Sequence, residues 1–336
     1  MRCGGPSGAD AAPTEEQLPV PWKTTDIPDQ TGRTAVVTGA NGGLGLETAR
    51  ALAAKGAHVV MAVRDQEKAL AAVAEIRSAV ADASLELVPL DLGDQANVKD
   101  AADMIAATHP TIDLLINNAG LMAMPERKTA DGYEMQLGVN HLGHWTFTAG
   151  LLAPLLASAA AGRHPRVVTV TSVARFIGGP VDPDNPHLVG RYDPWKAYGQ
   201  AKLANFYFGL GLHRQVEHAG VDLASLLAHP GLSNTDLQSR TSREGGAGFL
   251  GPFFDRATDV AGMSPASGAR MQLRAATDPG ATSGQLYAPA FASFGPAVPR
   301  PILRRIDLQA RIDQLWEVSE RETGVRLDVA GAVAGG

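Results

Sequence analysis

Residues 34–45 read TAVVTGANGGLG: a five-residue apolar run, then glycines at 39, 43 and 45, then the start of a helical pattern at Leu44. A β-branched run that breaks into a glycine-rich turn and re-forms as a helix lets the backbone turn tightly and approach a bound pyrophosphate. The first N–H groups and the positive end of the helix dipole then face the phosphates. An ordinary glycine-rich turn reads the same way in isolation, so the surrounding rhythm has to decide. Working outward, short apolar runs recur at 58–63, 85–90, 113–117, 166–172, 221–227 and 285–287, separated by helical stretches at 44–55, 66–81, 95–108, 131–161, 196–219 and 265–277. HVVMAV, DLLI and RVVTV are continuous rather than alternating, as strands buried on both faces must be. The alternation predicts an α/β class: a single-domain Rossmann fold with a doubly wound, seven-stranded parallel sheet and helices on both faces.

Composition excludes several alternatives. The chain has 336 residues, 45% hydrophobic and 19% charged, with 37 glycines and 22 prolines, enough to bury a large core through many tight turns. A net charge of −6 without a basic block gives nucleic acid nothing to bind. The lone cysteine, Cys3, cannot form an internal disulfide or a thiolate metal site, and suggests a reducing, cytoplasmic setting. Residues 1–30 read as a flexible leader, 31–290 as the catalytic domain with a substrate loop at about 232–264, and 291–336 as a Pro-rich connector and an extension with one helix, 303–323. The longest mostly apolar run, 149–161, contains Pro154 and is too short for a membrane span, so no stable membrane insertion is expected.

Two further clusters carry chemistry. Tyr198 and Lys202 lie four apart on a helix and therefore share a face, within reach of Ser172 at the end of the fifth strand. A phenol titrates near ~10, so a neighbouring ammonium is expected to lower it and fit it for acid–base work at neutral pH. Taken alone, the pair also reads as a surface contact. At the end of the second strand Val63 offers no carboxylate for a ribose 2′-hydroxyl, whereas Arg64 can fork onto a 2′-phosphate or, alternatively, pair with Asp65 in solvent. The first option favours NADP(H), with NAD possible. His141 and His144 lie three apart without a third ligand, HExxH or cysteine cluster, and read as packing or hydrogen-bonding residues, so no metal site is expected. His229 receives no role.

As a set, TGANGGLG, Asp91-Leu92, Asn117-Asn118-Ala119-Gly120, Asn140, Ser172, Tyr198 to Lys202 and Pro230-Gly231 followed by Thr235 resemble the short-chain dehydrogenases/reductases over most of residues 30–290. GYEMQLGVNHLGHW at 132–145, MAVRDQEKA at 61–69, the long 172–198 segment and LWEVSERETG at 315–324 are similar to the retinol dehydrogenase and WW-domain oxidoreductase branch. The resemblance implies that Tyr198 protonates the substrate oxygen, Ser172 holds it, Lys202 binds the nicotinamide ribose and Asn140 anchors a water-linked relay. It also implies that Asp91 contacts adenine, Asn117 and Gly120 line the cleft, and Thr235 meets the carboxamide. Gly39, Asn41, Gly43, Leu44, Gly45, Arg64, Leu92, Ala119, Pro230 and Gly231 complete the expected cofactor contacts. Two departures stand out: protochlorophyllide reductases share this wording but use an active-site cysteine, and Ser233 stands where a branched apolar residue is commoner.

The segment after Pro230 should carry specificity, because loops at the carboxyl ends of strands close over the crevice. Phe249, Leu250, Phe253, Phe254, Val260 and Met263 could cover a lipophilic aldehyde, ketone or alcohol, retinoid-like or otherwise, or instead pack into the core, a subunit contact or a membrane surface. The family commonly pairs through its helices at 131–161 and 196–219, which implies a homodimer or homotetramer. The expectation is an NADP(H)-preferring carbonyl/alcohol oxidoreductase, the alternative a non-catalytic dinucleotide-binding sensor or scaffold.

Overall fold

The computed structural model describes residues 21–232, 263–302 and 307–335. Its strands are β1 (Thr34–Thr38), β2 (His58–Val63), β3 (Leu85–Pro89), β4 (Leu114–Asn117), β5 (Arg166–Val170), β6 (Ala224–Ala228), β7 (Leu286–Pro289) and β8 (Ala297–Arg300). They form one sheet in the order β3-β2-β1-β4-β5-β6-β7-β8. The first seven are parallel, and β8 runs antiparallel to β7, with Tyr287 opposite Pro299. The sheet thus has eight strands where seven were expected. AVPR carries a proline, which reads as a connector, yet an edge strand tolerates proline because its outer N–H groups need no partner.

Helices cover both faces: α1 (Gly43–Ala53), α2 (Gln66–Ala79) and α3 (Gln95–Thr108), then the short α4 (Met135–Leu137), α5 (Gly143–Gly150), α6 (Leu152–Ala160) and α7 (Arg175–Gly178), then α8 (Pro194–Ala219) and α9 (Pro265–Thr277), and finally α10 (Leu308–Thr323) and α11 (Val329–Gly335). Successive strand residues enter opposite cores, as the period of two requires. Val36 and Val60 join α3, α5 and α8 on one face, while Val37, Val59 and Met61 join α1, α2 and α9 on the other. Each such valine stabilises the fold by about 2 kcal/mol through burial. None of the helices described is long and apolar enough to cross a membrane.

Three sequence expectations need correction. The helix read as unbroken over 131–161 contains a π-helical turn, Gly138–Leu142, between α4 and α5, with Asn140 at its centre. Residues 21–30, assigned to the leader, are packed: Trp22 and Ile27 are buried in the second core, and the Gln30 amide donates to the Lys55 carbonyl. After residue 291 the described residues form two helices rather than one. This C-terminal stretch lies against α5 and α8. Trp316 packs edge-on to Trp145 at 5.0 Å and stacks on Phe208, Trp145 Nε1 donates to the Val325 carbonyl at 2.8 Å, and His141 Nε2 meets Ser319 Oγ at 2.8 Å.

Candidate active site

The strand order reverses between β1 and β4, which opens a crevice at their carboxyl ends, and the glycine loop and the 117–120 loop border it. Gly39 and Gly43 adopt φ of +67° and +52°, conformations that L side chains rarely take. At Gly45 an added Cβ would stand 2.3 Å from the Gly39 carbonyl oxygen. No side chain among the described residues caps α1 at Gly42, so its first N–H groups stay free for an anion. Asn118, which received no role from the sequence, braces this loop. Its Nδ2 donates to the Thr38 carbonyl at 2.8 Å and its Oδ1 accepts from Gln272 on α9 at 3.1 Å. The Thr38 hydroxyl in turn accepts from the Asn118 and Ala119 amides.

Asn117 and Leu92 depart from their expected place. The Asn117 side chain is buried and donates to Thr148 Oγ1 at 3.0 Å, tying β4 to α5 rather than lining the cleft. Leu92 is buried in the core, its carbonyl 2.4 Å from where a Cβ on Gly143 would stand. Past the ends of β2 and β3, Arg64 and Asp91 face each other at 3.9 Å, both substantially exposed, and Asp91 Oδ1 accepts from the Gly93 amide. An exposed pair at that separation is weak, so the guanidinium can leave it for a phosphate. Asp65 caps α2 through the Lys68 amide, and Asn41 Nδ2 reaches the Asp65 carbonyl at 3.3 Å. Leu44 sits in the first turn of α1, where its carbonyl accepts from Thr48. Thr235 lies outside the described residues, as does the expected substrate loop apart from Leu232, Met263 and Ser264.

The second cluster is built on α8. Asp193 caps this helix through the Lys196 amide at 2.8 Å, Pro194 occupies its first turn, and Gly220 ends it at φ +65°. Tyr198 and Lys202 therefore emerge one turn apart, and the Lys202 ammonium lies 5.9 Å from the Tyr198 ring centre. α7 crosses the start of α8 so closely that a Cβ on Gly199 would stand 2.5 Å from the Gly178 nitrogen. That crossing brings the 172–178 segment over Tyr198 and sets the Ser172 side chain close enough to the phenol to act on its titration. Lys202 Nζ donates to the Val170 carbonyl at 3.2 Å. A Cβ on Gly120 would stand 2.9 Å from Asn140 Oδ1 and 3.4 Å from Lys202 Nζ, so Gly120, Asn140 and Lys202 adjoin.

Asn140 spends its amide in both directions on Leu121, accepting from its nitrogen at 2.6 Å and donating to its carbonyl at 2.9 Å. Its backbone carbonyl accepts from His144 Nδ1 at 3.0 Å, and His144 Nε2 meets the Thr38 hydroxyl at 2.9 Å. Because Nδ1 must donate to a carbonyl, Nε2 of the neutral ring accepts from Thr38. Burial pushes His144 down to about 4 and His141 to about 3, so both are neutral hydrogen-bonding residues. His229, without a role in the sequence, is buried just past β6: its Nε2 donates to the Ala292 carbonyl at 3.2 Å, and burial followed by the nearby Arg175 charge holds it at about 4.

The electrostatics differ from expectation. Burial pushes Tyr198 up to about 12, with the Ser172 side chain acting in the opposite direction, and burial lowers Lys202 to about 8. Lys202 therefore does not bring the phenol down, because desolvation dominates for both groups.

Residues 33–245 match the short chain dehydrogenase family. Mouse polyprenol dehydrogenase is 42% identical over 211 residues, 63% of either protein, and human retinol dehydrogenase 13 is 39% identical over 227 residues, 66% of either. The chain thus spans somewhat less than two thirds of these relatives' length. A solved protein from Mycobacterium paratuberculosis superposes with a TM-score of 0.73 at 37% identity, covering 91% of this chain and 98% of its own. Fold and sequence agree: the chain belongs to the short-chain dehydrogenase/reductase family, on the branch of its retinol dehydrogenase relatives.

Proposed function

We propose that this protein is an NADP(H)-preferring oxidoreductase that interconverts an apolar carbonyl compound and its alcohol, with Tyr198 as acid and base. The observation that carries the reading is the convergence of Tyr198, Ser172, Lys202, Asn140 and Gly120 at the carboxyl ends of β4 and β5. The positive-φ glycines and the uncapped start of α1 fit a dinucleotide pyrophosphate. When bound, the nicotinamide supplies hydride to the carbonyl carbon or takes it back.

The chain supplies the rest. Tyr198, held protonated by its burial, gives its phenolic proton to the substrate oxygen, and Ser172 holds that oxygen in line. Lys202 keeps ammonium donors beyond the one on Val170 to fix the ribose hydroxyls and to restore the phenol's proton. The water-linked relay would draw on the Asn140 backbone carbonyl, since its amide is committed to Leu121.

Support for an apolar substrate comes from the rim. Phe176 and Ile177 on α7, and Phe291 and Phe294 in the turn between β7 and β8, are large exposed apolar side chains at the carboxyl end of the sheet. Two relatives are named for polyprenol and retinol, both apolar alcohols. Support for NADP(H) is Arg64, whose ion-pair partner among the described residues is the Asp91 carboxylate at 3.9 Å. A non-catalytic sensor has no need of the complete Tyr198–Lys202–Ser172–Asn140 set.

The cytoplasmic setting, the lack of nucleic-acid partners and a homodimer or homotetramer belong to the same reading. Pairing through the outer faces of α5 and α8 would compete with Trp316 and the tail, so two copies would have to meet elsewhere or displace it. Following cofactor absorbance with NADPH or NADH and a panel of apolar aldehydes and ketones tests the proposal. Turnover favouring NADPH is expected, and absence of turnover with every member, or a strong NADH preference, contradicts it.

A further inference from the structure

We propose that His58, Glu86 and His109 form a binding site for a divalent transition-metal ion, with zinc the best match, at the amino-terminal edge of the sheet. The three residues lie far apart in sequence. His58 opens β2, Glu86 is the second residue of edge strand β3, and His109 ends α3 as its C-cap. The fold nevertheless sets His58 Nε2 at 3.2 Å and His109 Nε2 at 2.9 Å from the same Glu86 Oε2, with all three donor atoms within 4.8 Å of one another. In a tetrahedral zinc site with bonds of 2.0–2.1 Å, neighbouring donors stand about 3.3 Å apart. The two nitrogen–oxygen separations already have that size, so only the gap between the imidazoles has to close.

The shell behind the donors fits as well. His58 Nδ1 lies 2.8 Å from the Ser84 hydroxyl. When Nδ1–H donates there, the Nε2 lone pair faces the Glu86 carboxylate, and a cation between them resolves the opposition of two acceptors. Two imidazoles and one carboxylate suit zinc and its neighbours better than calcium or magnesium, which demand oxygen. The side chains are 31%, 31% and 14% exposed, open enough for an ion to enter and for water to complete the coordination. No spacing motif announces the site, because its ligands come from three elements. It stands at the opposite end of the strands from Tyr198, so its role is to staple β2, β3 and α3 together at the open edge of the sheet rather than to act in hydride transfer.

The full chain, stripped with a chelator, should be titrated with Zn2+ by calorimetry and with Co2+ by visible absorption. One equivalent, a tetrahedral Co2+ spectrum and a higher melting temperature with Zn2+ are expected, while chelation leaves NADPH binding unchanged. His58→Gln and His109→Gln should abolish the Co2+ spectrum, Glu86→Gln should weaken binding, and Ser84→Ala, which spares all three ligands, should weaken it about tenfold. Circular dichroism reports whether each variant is folded. Absence of saturable binding near one equivalent, or binding that survives in folded His58→Gln and His109→Gln proteins, overturns the proposal. So does a Ser84→Ala affinity equal to that of the original chain.

Discussion

The two ends of the parallel sheet treat their polar groups in opposite ways. At the amino end, Asp113 is fully buried and fully engaged: Arg163 forks onto both oxygens at 2.8 and 2.7 Å, Ser158 donates at 3.0 Å and the Thr34 amide at 2.8 Å. These partners hold its carboxyl below the usual range despite burial. At the carboxyl end, Tyr198 and Lys202 are also buried, but each has few partners among the described residues, and burial moves their pKa values up and down respectively. A closed network stabilises the fold. An open one spends stability on groups left to meet a ligand.

The contrast can be broken first by acid. His141, His144 and His229 are held at about 3, 4 and 4, whereas the unfolded chain titrates near 6.5. The unfolded state therefore binds protons that the folded state refuses. Stability should fall as pH drops from about 6.5 towards 4, in total on the order of several kcal/mol. The lowered Asp113 carboxyl adds its loss in a separate window, below the ordinary aspartate value of 3.8. Denaturant unfolding across pH 7 to 4 checks this, and a flat profile would remove the neutral-histidine account.

Asp113→Asn should destabilise the chain by about 3 kcal/mol, because it strands the Arg163 and Arg33 charges, while leaving kcat of the folded protein unchanged. Gly199→Ala acts on the other end. Its Cβ would meet the Gly178 backbone, so a loss of about 1–3 kcal/mol is expected, with a drop in kcat as Ser172 moves off the phenol. Arg64→Ala should raise the KM for NADPH about tenfold and leave that for NADH nearly unchanged. Since Lys202 carries its charge only below about 8, kcat/KM for carbonyl reduction should decline as pH rises through that value.

The sequence disclosed what depends on local pattern. TAVVT and HVVMAV read as strands because both faces of the sheet are covered, and Tyr198 with Lys202 read as a pair because a helix repeats every 3.6 residues. It concealed what depends on a distant partner. β8 escaped notice because its proline suits only an edge, and α11, VAGAVAG, carries two glycines that weaken its helical signal and takes its anchor from Gln215, whose Oε1 accepts from the Val329 amide. Asn118 and Gly199 gained their meaning only once Thr38, Gln272 and Gly178 stood beside them. The π turn at Asn140 and the reversed expectation for the phenol of Tyr198 likewise required the surroundings, since burial is a property of the fold.

The most direct measurement compares the original chain with Tyr198→Phe for NADPH oxidation on an apolar aldehyde and, in parallel, for NADPH binding by fluorescence. Removing the phenolic proton while keeping the ring should lower kcat by roughly a thousandfold and leave cofactor affinity within about twofold. Near-normal turnover by the phenylalanine protein would contradict the role given to Tyr198.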